Sequence, residues 1–150
     1  MKNLALSLIL LVTWGITGCN KTVRVEPELD PKDDPLKVYT QDLQQAKMWL
    51  PGRWKLLKVY AMIPNPPVPN VELVIDENHI SLMQDGIQTD KVDFEIIKTD
   101  HGLWIRTNAQ PREDNWYIRN PGLYLNQNRM YFDLGRATDG PAYEFNRVNE

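Results

Sequence analysis

Side chains able to carry nucleophilic, metal or acid–base chemistry are few here: one cysteine, Cys19, and two histidines, His79 and His101. Neither histidine stands at a spacing that brings a second metal ligand beside it, and both sit next to turn signals. The chain holds no Gly-x-Ser-x-Gly elbow and no glycine-rich loop that would cradle phosphate. Carboxylates occur close together at Asp90 and Asp93 and at Glu113 and Asp114. Such pairs act as acid and base only where burial drives their pKa values apart, and the local sequence offers nothing to bury them. Glu28, Asp30, Asp33 and Asp34 fall in a stretch almost without large apolar residues, which fixes no geometry for a cation. The residues therefore predict no catalytic group, no metal site and no cofactor: the protein is expected not to be an enzyme.

Cys19 points elsewhere. It follows a basic residue, Lys2, and an apolar run from Leu4 to Val12 that is too short to cross a bilayer, the pattern of a signal peptide. Ile16-Thr17-Gly18-Cys19 resembles the lipobox of bacterial lipoproteins. The resemblance implies removal of residues 1–18, lipid on Cys19, and attachment to a membrane of the bacterial cell envelope. Asn20 in place of Asp matches the pattern that sends such proteins to the outer membrane in enteric bacteria. With its one cysteine lipidated, the exported chain has no disulfide to rely on. Loss of residues 1–18 leaves 16 basic and 20 acidic residues, a formal charge of −4. That balance gives no electrostatic reason to bind nucleic acid.

Residues 19–38 read as the lipidated N-terminus and an extended, solvated linker rich in Pro, Glu, Asp and Lys. The remainder, 39–150, reads as one domain. Leu43, Ala46, Trp49 and Leu50 recur at helical spacing, Thr40 can cap the start, and Pro51-Gly52 ends the pattern. Beyond Gly52 the period is two, with strands expected at 53–61, 70–76, 79–84, 91–99, 102–108, 115–125, 129–134 and 141–148. Because Asn120-Pro121-Gly122 interrupts 115–125, that run reads as one bent strand, with two separate strands as the alternative. Eight short strands with no crossover helix make an antiparallel up-and-down sheet, and closing it into a barrel preceded by one short helix removes its edges.

Gly52-Arg53-Trp54, placed after a helix at the head of the first strand, resembles the Gly-x-Trp signature of the lipocalins and their calycin relatives. Tyr143-Glu144-Phe145-Asn146-Arg147 is similar to the last strand of short bacterial lipocalin-like domains, in which an arginine lies near that tryptophan. Strand direction independently brings Arg147 to the end of the barrel where Trp54 begins, a cation–π pairing of roughly 0.5 to 2 kcal/mol. At the opposite end lie the connections 62–69, 85–90, 109–114 and 135–140. The first of these is stiffened by Pro64, Pro66, Pro67 and Pro69.

Alternation turns Leu73, Ile75, Ile80, Leu82, Val92, Phe94, Ile96, Leu103, Ile105, Trp116, Ile118, Leu123, Leu125, Met130, Phe132, Tyr143 and Phe145 inward. Side chains this large fill a barrel of eight short strands, so a deep lipocalin cup is not expected. Any cavity should be shallow and at the loop end, where Val68, Asn70, Gln88, Arg112, Asp114 and Arg136 are the ligand-binding candidates. The outward positions of the later strands carry Trp104, Arg106, Tyr117, Arg119, Tyr124 and Tyr131, a composition found at interface centres. Two functions follow as alternatives. One is a binding module for a small apolar or amphipathic molecule at the barrel mouth. The other is an envelope interaction module that docks a protein on the aromatic and arginine face.

Overall fold

A computed structural model describes residues 38–149. The signal region, Cys19 and the linker up to residue 37 lie outside the described residues. Eight antiparallel strands follow one another around a closed barrel, each paired with its sequence neighbours and β1 with β8. They are β1 (Gly52–Tyr60), β2 (Val71–Ile75), β3 (His79–Gln84), β4 (Ile87–Thr99), β5 (Gly102–Thr107), β6 (Gly122–Leu125), β7 (Arg129–Asp133) and β8 (Ala142–Arg147).

Before them runs α1 (Leu43–Trp49), and its cap corrects the sequence expectation. Asp42, not Thr40, is the N-cap, its carboxylate accepting from the Gln45 N–H at 2.7 Å. Thr40 acts one step earlier, its hydroxyl accepting from the Asp42 N–H at 3.0 Å.

Two strand boundaries also differ. The connection expected at 85–90 shrinks to Asp85-Gly86, both at positive φ (52° and 80°), and β4 runs 13 residues from Ile87. Paired positive φ values make a primed two-residue turn whose twist matches the flanking strands, so the ladder continues to the turn itself. The run 115–125 is neither one bent strand nor two strands: Trp116–Ile118 form a single 3-10 turn, and only Gly122–Leu125 pair. Pro121 lacks an N–H for the ladder, and Asn120 adopts φ 49°, which breaks the extended course. The upper half of β5 is met by loop atoms instead, the Ile105 N–H donating to the Pro121 carbonyl at 2.9 Å and the Thr107 N–H to Asn120 Oδ1 at 2.8 Å.

The barrel interior is packed solid. Trp54, Leu73, Ile80, Leu82, Ile105, Ile118, Leu123, Leu125, Met130, Phe132 and Phe145 are all fully buried. Of the positions assigned inward, Phe94 and Ile96 are only partly covered, and Trp116 is 46 % exposed. The 3-10 turn causes that last departure, since it abandons the two-residue period and keeps Ile118, also assigned inward, buried while Trp116 is left outside. One bulge matters for the surface. Between Leu56 and Lys58 the β1–β8 register shifts, leaving Leu57 as an extra, exposed residue. Beyond it Val59 packs on the core, and Lys58 and Tyr60 come to the outside.

Arg147 holds the floor together. Its guanidinium lies 4.2 Å over the Trp54 ring and donates to the carbonyls of Gln127 (2.7 Å), Pro51 (2.9 Å) and Trp49. Burial pushes its pKa down, and each of its three nitrogens donates to a carbonyl. The Trp54 indole N–H donates to the Leu50 carbonyl at 2.8 Å, joining the helix end to the same cluster. Gly52 has φ 141°, and a methyl on it would run into the Arg147 guanidinium, so glycine answers both the backbone and the space.

Candidate functional site

A cleft of about 580 Å³ lies on the rim between the proline loop and the connection from β7 to β8. Val59, Ala61, Met62, Ile63, Pro66 and Val68 supply its apolar wall, and Lys58, Tyr60, Asn65, Arg136 and Asp139 its polar one, two cations against one carboxylate. Met62, Ile63 and Val68 are 76, 59 and 47 % exposed, a concentration of apolar side chains in water at one place.

Local structure fixes each polar member. The β1 bulge turns Lys58 and Tyr60 outward. Tyr60 donates its hydroxyl to Glu144 at 2.8 Å, and burial followed by that carboxylate pushes the phenol well above its ordinary pKa. Asp133 Oδ1 accepts from the N–H groups of Gly135 and Arg136, both at 2.8 Å, which folds the chain back after β7. Arg136 thereby lies 5.0 Å over the Tyr60 ring, and Lys58 is 4.7 Å from the same ring. Arg136 also donates to the Tyr131 hydroxyl at 3.4 Å, an interaction that pushes its pKa up. Among the described residues neither Lys58 nor Arg136 has a carboxylate partner within 4.0 Å.

Of the six ligand-binding candidates, Val68 and Arg136 meet in this cleft, and the others lie elsewhere. Asn70 precedes β2, where its carbonyl accepts from the Asp85 N–H at 3.0 Å. Gln88 pairs with Met83 inside the ladder. Arg112 and Asp114 are engaged with each other in a two-pronged pair at 2.9 and 2.6 Å, which raises the pKa of one and lowers that of the other. Asn115, fully buried and absent from the sequence reading, completes that fastening. Its Nδ2 donates to Asp90 at 3.0 Å and to the Gln110 carbonyl at 2.8 Å, and its Oδ1 accepts from the Arg112 N–H at 3.1 Å.

The outer aromatic face divides in two. Tyr39, Tyr124, Tyr131 and Tyr60 form a continuous edge-to-face run with centroid separations of 6.0, 5.8 and 5.5 Å, ending at the rim cleft. Arg106 is exposed and paired with Glu95 at 2.9 Å. Tyr117 leaves the outer face and packs on Tyr143 at 4.7 Å under the 3-10 turn. Trp104, Trp116 and Arg119 line a second cleft of about 430 Å³ with Ala109, Pro111 and Leu134.

Tyr60 and Lys58 are not among the sequence candidates; strict alternation from Trp54 would point both inward, and the bulge at Leu57 turns them out. Met62 and Ile63, an apolar pair inside a proline run, were visible signals that the reading passed over. His79 bridges Asp76 at 3.2 Å and Asp93 at 3.4 Å beside its turn. Among the described residues no group of three His, Cys, Asp or Glu side chains is placed to hold a metal. Comparison of the chain with family models, with curated proteins and with solved structures returns no match from any of them.

Proposed function

We propose that this is a lipid-anchored, non-catalytic binding protein of the bacterial envelope that holds a small anionic amphipathic molecule in the rim cleft. The observation that carries this reading is the composition of the cleft: exposed Met62, Ile63 and Val68 on one side, and on the other Lys58 and Arg136, which among the described residues have no carboxylate within 4.0 Å and outnumber the one carboxylate of the lining, Asp139. An apolar tail lies along the proline loop, and its acidic head faces the two cations around Tyr60. The solid interior leaves no room for a swallowed ligand, so the molecule is held at the surface. Burying about 200 Å² of tail contributes roughly 5 kcal/mol before the association cost, which limits affinity to the micromolar range or weaker.

Decanoate and decanol would be titrated into the protein while amide shifts are followed by NMR. Decanoate should perturb Lys58, Ile63, Val68 and Arg136 and bind more tightly than decanol, and Arg136→Ala should weaken it. Equal affinity for the two, or shifts that avoid the proline loop, would refute the reading.

A second reading, docking of an envelope protein on the outer aromatic face, is favoured by the tyrosine run from Tyr39 to Tyr60 and by the exposed Trp104. Photo-crosslinking from Trp104 against crosslinking from Met62 separates them, a discrete adduct at Trp104 alone favouring docking.

A further inference from the structure

The 430 Å³ cleft beside β5 shares no lining residue with the rim cleft, and one of its walls contains an unusual charge. Nε and Nη2 of Arg119 are buried and have no hydrogen-bond acceptor among the described residues. Buried polar atoms are nearly always paired, and an unpaired donor on a charged group loses its hydration with nothing in return. The contact recorded for the guanidinium is with an aromatic ring: its carbon lies 3.4 Å from the centre of the Trp116 ring. No carboxylate of the described residues lies within 4.0 Å.

The identity of the two unpaired atoms is informative. Nε and Nη2 form one edge of the guanidinium, with parallel N–H bonds whose spacing matches the two oxygens of a carboxylate. The cleft that Arg119 lines is mainly aromatic and apolar, with Asn120 its other polar side chain. Trp104 is 37 % and Trp116 46 % exposed, with Ala109, Pro111 and Leu134 beside them. Two half-exposed indoles offer flat faces to a ring. A volume of this order suits a molecule of one or two rings. Because Nε and Nη2 are closed off from water, a ligand reaches them only if the side chains around them shift, and Trp116, in contact with the guanidinium, stands on a single 3-10 turn that belongs to no strand.

We propose that this cleft is a second, independent binding site, for a small carboxylate that carries a ring: the ring lies against Trp104 and Trp116, and the carboxylate accepts from Nε and Nη2 of Arg119. An aromatic acid and an acidic sugar share this chemistry.

Phenylacetate and glucuronate, with phenylacetamide and glucose as their uncharged counterparts, would be titrated into the full-length protein. The indole N–H signals of Trp104 and Trp116 and the Nε–H signal of Arg119 would be followed by NMR. At least one acid should shift all three signals saturably and bind at least tenfold more tightly than its counterpart. A response to phenylacetate alone identifies an aromatic acid, and a response to glucuronate alone an acidic sugar. Arg119→Gln should weaken binding at least tenfold, Arg106→Gln should leave it unchanged, and Trp104→Ala, at an exposed position, should weaken it without unfolding the barrel. Equal binding of acid and counterpart, insensitivity to Arg119→Gln in a folded variant, or no saturation with either acid would overturn the proposal. None of these results bears on decanoate at the rim cleft.

Discussion

Arg147→Ala should destabilise the barrel by about 2 to 3 kcal/mol, and the structure shows where that comes from. The guanidinium donates to three carbonyls and lies over the Trp54 ring. The Gln127 carbonyl is exposed and regains water after the substitution, so its loss is small. Those of Pro51 and Trp49 are part-buried, and stranding them costs on the order of 1 kcal/mol each. The cation–π contact adds roughly 1 kcal/mol. Against this, alanine removes the penalty for partly desolvating a cation, the same effect that lowers the arginine's pKa. Lysine cannot substitute well, because one ammonium does not reach carbonyls that lie in different directions around a planar fork. Urea unfolding followed by tryptophan fluorescence measures each variant, and a cycle with Trp54→Phe isolates the stacking contact, expected to couple by about 0.5 to 1 kcal/mol. A loss below about 0.5 kcal/mol for Arg147→Ala, typical of an ordinary surface position, would show that the floor closes without it.

Gly52→Ala should lose about 1 to 3 kcal/mol, since φ 141° strains any side chain and the methyl meets Arg147; the loss should shrink in an Arg147→Ala background, as thermal melts of the four variants would test. Burial pushes the Tyr143 phenol up to about 12, whereas the unfolded chain releases that proton near 10.0. A raised folded pKa stabilises below the unfolded value, so stability should hold up to about pH 10 and fall as pH rises toward 12, seen as a declining urea midpoint that Tyr143→Phe makes shallower, the remaining slope coming from Tyr60 and the other tyrosines whose pKa burial raises. Asn115→Ala should cost about 2 kcal/mol by leaving the Gln110 carbonyl and the Arg112 N–H unpaired, again read from urea midpoints. Cys19→Ala should abolish detergent-phase partitioning of the exported protein, and retention in that phase would refute lipid attachment.

The sequence by itself determined the barrel. From Gly52 onward large apolar residues alternate with polar ones, and an antiparallel sheet hydrophobic on one face must close or be covered; closure is what the structure shows. Turn residues set the register, and the size of the inward side chains already implied a filled interior. Where the reading failed, single backbone events were responsible. A primed turn at Asp85-Gly86 removed a loop and put Gln88 in the ladder, and Pro121 with Asn120 turned an expected strand into a 3-10 turn that exposes Trp116.

Only the tertiary structure decided the surface. The bulge at Leu57 shifts the period by one residue, so Lys58 and Tyr60, inward by alternation, emerge beside Arg136 from a connection some 75 residues away in the chain. Arg112 and Asp114, indistinguishable in sequence from ligand contacts, are taken up by each other, while one edge of Arg119 finds no acceptor among the described residues. Periodicity is a local property that a chain carries in its own order, whereas pairing depends on which groups the closed barrel brings within hydrogen-bond reach.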